Sequence, residues 1–122
     1  MIDDLYETIG GRRTIRAATE SFYRRVLADE TLSHFFDSTD MAHLVAGQCM
    51  FISMLLGGRV AYRGKEIGAA HEHVRAKGLT GEHFDAFLKH FRAALDEVGV
   101  KPDKADKVMN LLEAKRGTVL NR

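Results

Sequence analysis

MAHLVAGQCMFISMLL, residues Met41 to Leu56, places apolar side chains at Met41, Leu44, Val45, Phe51, Ile52 and Leu55. Steps of three and four bring these positions onto one face of a helix, and the period-two alternation of a half-buried strand is missing. Thr39 or Asp40 caps the start, and Gly57-Gly58 ends the run. One residue is out of keeping with this face. Gln48 lies within the stripe, and a buried polar group left without a partner costs about 1–3 kcal/mol.

The same period recurs on either side. A helix is expected from about Arg12 to Ala28 with Ile15, Ala18, Thr19, Phe22 and Val26 inward, followed by a short helical turn carrying Leu32, Phe35 and Phe36. Glu82–Val98 repeats the pattern at Phe84, Phe87, Leu88, Phe91, Leu95 and Val98, with Thr80 as N-cap and Gly99 as the stop. Pro102 suits the first turn of a final helix bearing Ala105, Val108, Met109 and Leu112. Between the second and third long helices, Arg59–Lys65 reads as an extended loop that leads into a short helix, Ile67–Lys77. No strand pattern persists anywhere. The expectation is an all-α fold in a single domain covering residues 1–122.

Composition narrows the function. Lysine plus arginine number 18 against 17 for aspartate plus glutamate, which leaves no basic footprint for nucleic acid or an anionic membrane. No apolar run approaches the ~20 residues of a membrane span, and Met1-Ile2-Asp3-Asp4 lacks the order of a signal peptide. Cys49 is the single cysteine, so a disulfide framework and a paired-cysteine zinc or redox motif are excluded. A cytoplasmic protein is the expectation.

Three polar residues on apolar faces carry the chemistry. In the short helix Ile67, Ala70, His71 and Val74 fall at i, i+3, i+4 and i+7, so His71 completes the apolar face. A core histidine bonded to a carbonyl explains one such residue, and a single imidazole offered from an apolar face is also how proteins hold haem iron. Gln48 either bonds a neighbouring backbone group or turns its NH₂ towards a ligand. Tyr23, beside Phe22, Thr19 and Val26, is either a core tyrosine bonded to protein or a phenol aimed at a polarised ligand. Taken together they describe one metal ligand and two donors in an apolar slot, with Phe36, Phe51, Phe84 and Phe87 as aromatic lining.

The order of motifs resembles the truncated haemoglobins, specifically their first group. The matching stretches are Leu5-Tyr6-Glu7-Thr8-Ile9-Gly10-Gly11, Phe22-Tyr23-Arg24-Arg25-Val26, His34-Phe35-Phe36, Asp40-Met41-Ala42 and Gly57-Gly58. Tyr62-Arg63-Gly64, Ala70-His71 and Gly78-Leu79-Thr80-Gly81-Glu82-His83-Phe84-Asp85 continue the series in the family's order. The resemblance implies a two-over-two helical sandwich holding haem b. It implies that His71 is the proximal iron ligand, Tyr23 the distal donor, Gln48 its support, and Phe36 a wedge against the haem face. Phe51, Ile52, Leu55, Ala70, Val74, Leu79, Phe84 and Phe87 are expected to contact the haem. The resemblance also implies that the double glycines make sharp turns.

Departures from the family pattern sharpen the expectation. Leu44 stands where many members carry a distal glutamine, which makes it an apolar gate. Gly47 stands where some relatives place an iron-binding histidine, and His43 points off the inward face, so the sixth position is expected to be open or water-bound. Ile52 replaces a phenylalanine thought to gate a gas tunnel. Lys115 takes the place of a histidine that attaches haem covalently in some relatives, so non-covalent haem b is expected. His34, His43, His73, His83 and His90 are read as surface or structural groups. Arg59, Arg63, Lys65 and Arg75 are candidates for the haem propionates, and Lys115-Arg116 for an exposed helix end.

The leading function is reversible binding of dioxygen, and of nitric oxide or carbon monoxide, serving transport, storage, sensing or detoxification. A second is nitric oxide dioxygenation with a separate reductase, because the chain holds no flavin or nicotinamide fingerprint. A third is a haem-free all-α regulatory module in which His71 and Gln48 are structural.

Overall fold

The computed structural model describes residues 5–57 and 72–120. Gly10 and Gly11, at φ 115° and 69°, reverse the chain between a one-turn helix α1 (Leu5–Thr8) and the long helix α2 (Gly11–Leu27). Only glycine adopts two consecutive positive φ values without strain, so this pair lets the fold start with a short element folded back on a long one. A 3-10 turn (Ser33–Phe36) leads to α3 (Met41–Leu55), and the chain continues as α4 (Glu72–Ala76), α5 (Gly81–Glu97), α6 (Pro102–Glu113) and α7 (Arg116–Leu120). Among the described residues there is no strand.

The helix signals act as their chemistry predicts. Asp40 caps α3 by accepting from the His43 amide, at 3.2 Å. Thr80 caps α5 through the His83 amide, and His83 Nδ1 accepts the Thr80 N–H in return, at 3.0 Å. This is a capping box with histidine in the place glutamate usually takes. Pro102 occupies the first turn of α6, and Gly99 (φ 87°) follows the end of α5. The expected final helix is two helices, because the chain turns at Ala114-Lys115 before α7.

α2 packs on both α3 and α5, and α5 packs on α6, so two helix pairs face each other. The predicted row Ile15, Ala18, Thr19, Phe22 and Val26 is buried, and so are Ser21 and Tyr23, because α2 has neighbours on two sides. Thr19 remains in the core by donating its hydroxyl to the Ile15 carbonyl, 2.8 Å away. α3 differs from its sequence reading. Phe51 and Ile52 are buried, whereas Met41, Leu44, Val45 and Leu55 are half-buried against the core. Periodicity identifies an apolar face and not how completely neighbours cover it.

Of the short helix expected at Ile67–Lys77, Glu72–Ala76 lies within the described part. His71, Ala70, Ile67, Arg59, Arg63, Lys65 and Gly58 lie outside the described residues. No helix among the described residues is long and apolar enough to cross a membrane.

Candidate ligand pocket

Tyr23 lies where α2 meets the 3-10 turn and α3. Its ring is edge-on to Phe22 at 4.8 Å and to Phe36 at 5.7 Å between centroids. Phe87 of α5 meets Phe36 at 6.0 Å, almost perpendicular, and Phe22 at 6.2 Å. Edge-to-face packing of this kind contributes about 0.5–1.5 kcal/mol per pair beyond burial and fixes ring planes. Tyr23, Phe36 and Phe87, widely separated in sequence, are therefore brought into one cluster.

The phenol end of Tyr23 is exceptional. The residue is 6% exposed, yet none of the described residues forms a hydrogen bond with its hydroxyl. Among the described residues no side-chain nitrogen or oxygen is both fully buried and unpartnered, so this oxygen keeps a little accessible surface. Burial pushes its pKa far above the ordinary tyrosine value, with a smaller contribution from Cys49 on α3. The group is thus a neutral phenol able to donate.

Gln48 and Leu44 sit one turn apart on α3, both half-buried. Cys49 is half-buried beside Gln48 on α3. Sequence reading treated it only as the absence of a disulfide.

The other expected haem contacts divide into groups. Val74 on α4 is buried at 6% exposure, and Leu79 is half-buried with its N–H on the Val74 carbonyl at 3.3 Å. Phe51 and Ile52 are core residues of α3. Leu55 lies further along α3 and borders a crevice with Leu5, Leu56 and Leu111. Phe84 is not part of the ring cluster around Tyr23; its face is covered by the Arg116 guanidinium, 4.7 Å from the ring centroid.

Arg116 itself corrects the sequence reading. It is no free helix end but pairs with Asp85 and Glu113 and reaches the Gly81 carbonyl. His90 likewise has a carboxylate partner, Asp29 at 2.8 Å, contributed by the segment after α2 rather than by its own helix. His34 and His43 are exposed, as expected. Arg75 donates to the Val119 carbonyl at 2.9 Å.

A long α2 packed on two helices, a further helix paired with α5 and an aromatic cluster around the buried Tyr23 are the features of a small globin. The bacterial-like globin family matches residues 4–121. The chain is 38% identical to a group 1 truncated hemoglobin of Tetrahymena pyriformis, across 97% of this chain and 95% of the relative. It is 43% identical to another from Synechocystis, across 81% of each. Its fold superimposes on the 2/2 hemoglobin of Synechococcus sp. PCC 7002, solved in the cyanomet state with covalently attached heme. The TM-score is 0.92 at 38% identity, with 98% of this chain and 100% of the other covered. The chain belongs to the bacterial-like globins, and within them to the group 1 truncated haemoglobins, heme-binding proteins with the two-over-two helical sandwich.

Proposed function

We propose that this globin binds dioxygen reversibly at a haem held by His71, with Tyr23 and Gln48 on the opposite side. The unpartnered, deeply placed Tyr23 hydroxyl carries this reading. A donor in that position has no protein acceptor among the described residues, and a polarised diatomic ligand supplies one. Haem b provides the iron at which dioxygen, nitric oxide or carbon monoxide binds. Phe36 and Phe87 offer it flat apolar walls, and Leu44 and Val74 keep water from the two faces. The raised pKa preserves the donor, because the buried phenol stays protonated at neutral pH. On this reading haem is held without a covalent bond, since Lys115 replaces the histidine expected in covalent relatives.

Displacement of dioxygen by carbon monoxide in a stopped-flow instrument tests the assignment. A charge-assisted hydrogen bond contributes about 1.5–3 kcal/mol, so Tyr23→Phe releases dioxygen roughly 10-fold faster or more. An off-rate equal to wild type removes Tyr23 from the site.

Nitric oxide dioxygenation is the enzymatic extension of the same pocket. Converting nitric oxide and dioxygen to nitrate takes one electron per turnover, which a separate reductase has to deliver. Sustained nitrate formation with a purified reductase separates this activity from simple ligand binding.

A further inference from the structure

α7 spans only five residues, Arg116–Leu120. Isolated helices below about 12–15 residues are marginal in water, so it depends on contacts outside itself, and one of these reaches the described part of α4, Glu72–Ala76. α7 is anchored at its start by Arg116, which pairs with Asp85 and Glu113, reaches the Gly81 carbonyl at 3.4 Å and covers Phe84. Its other end buries Val119, whose carbonyl accepts from Arg75 Nη1 across 44 residues. The carboxy-terminal helix thus joins the start of α5 to α4. On the far side of α4 the Lys77 ammonium reaches the Phe35 carbonyl at 3.5 Å, a longer and weaker contact.

We propose that Arg75, through its bond to the Val119 carbonyl, straps α4 to α7 and thereby positions His71, the neighbour of Glu72 in sequence, on the haem iron. Arg75 is a positioning residue: it acts through the helix and touches neither iron nor gas. The guanidinium suits the task because it remains charged and its rigid fork holds a carbonyl in a fixed direction. This inference rests on the haem reading above, but the strap itself exists with or without the cofactor.

Hydrogen exchange on haem-free protein tests the strap alone. In Arg75→Met the amides of residues 77–79 exchange about 10-fold faster, equivalent to about 1.4 kcal/mol, while those of α5 keep their protection. Arg75→Lys restores part of the protection. Arg116→Met, which loosens the other anchor with Arg75 intact, has the same local effect, and the double variant is no worse than the more affected single one. Unchanged exchange at 77–79, or equal loosening of α5, overturns the strap.

In the haem-loaded protein, Arg75→Met shifts the ferrous iron–histidine stretching band and speeds haem loss. A band and a loss rate equal to wild type overturn the positioning role even if the strap stands. A wild-type chain that takes up no haem overturns the functional reading, and the exchange experiment still decides the strap.

Discussion

Tyr23 shows how its surroundings set the state of one residue. Phe22 and Phe36 hold its ring edge-on, burial keeps its proton in place, and none of the described residues accepts that proton. Asp29 shows the opposite arrangement, a charge held by neighbours. It accepts from His90 at 2.8 Å and from the Thr31 amide and hydroxyl, and these bonds lower its pKa to about 2, with the His90 bond foremost. Its folded value lies below the unfolded value near 3.9. The unfolded chain therefore binds more protons between those values, and stability from this group is whole above about pH 4 and lost as pH falls towards 2. The pair is partly solvated, at 23% and 24% side-chain exposure, which limits it to about 1 kcal/mol or less. Asp29→Asn is expected to lower stability by that amount at pH 6 and to remove part of the acid dependence between pH 4 and 2. Urea unfolding at pH 6, 4 and 2.5 measures it. A deficit in the variant that persists undiminished at pH 2.5 would show that the charge is not what matters.

Among the elements, the turn before α2 depends most on its residue type. Gly10 stands at φ 115°, and a side chain there would also run into the Thr14 hydroxyl one turn along α2. Gly10→Ala is expected to cost about 1–3 kcal/mol, seen as a lower urea midpoint with an unchanged slope. A midpoint equal to wild type would mean that the turn can rotate without loss. Helix starts and stops were legible because they are local: Asp40, Thr80, Gly99 and Pro102 act within a turn of their own position. The ties between elements were not. Asp29 and His90 are 61 residues apart, and Arg25 and Glu97 are 72 apart, joined at 2.8 Å. Nothing in a helical period announces such pairs. The break between α6 and α7 was missed for the same reason, since α7 is held by Arg116 to Asp85 and by Arg75 rather than by its own propensity. For the site, sequence reading selected Tyr23 and the ring set, and the fold gathers Tyr23, Phe36 and Phe87 but sets Phe84 under Arg116.

At the scale of the whole molecule, α2 is the shared wall of both helix pairs, and Tyr23 lies on it. Glu97 at the end of α5 binds Arg24 and Arg25 near the end of α2, at 3.1 and 2.8 Å. These pairs are exposed and tie the helix ends only weakly, while the stretch of α3 around Leu44 and Gln48 is half-buried. On the proposed reading, the haem would lie between the α2–α5 pair and this half-buried stretch of α3. Absorption spectra of haemin-reconstituted protein in the ferric, ferrous and carbon monoxide forms test this account most directly, with His71→Gly compared in parallel. Wild type is expected to take up one haemin per chain and give a stable ferrous carbon monoxide complex; His71→Gly is expected to lose the histidine-ligated spectrum and regain it on addition of free imidazole. A helical wild-type chain that takes up no haemin, or a His71→Gly spectrum identical to wild type without imidazole, would contradict it.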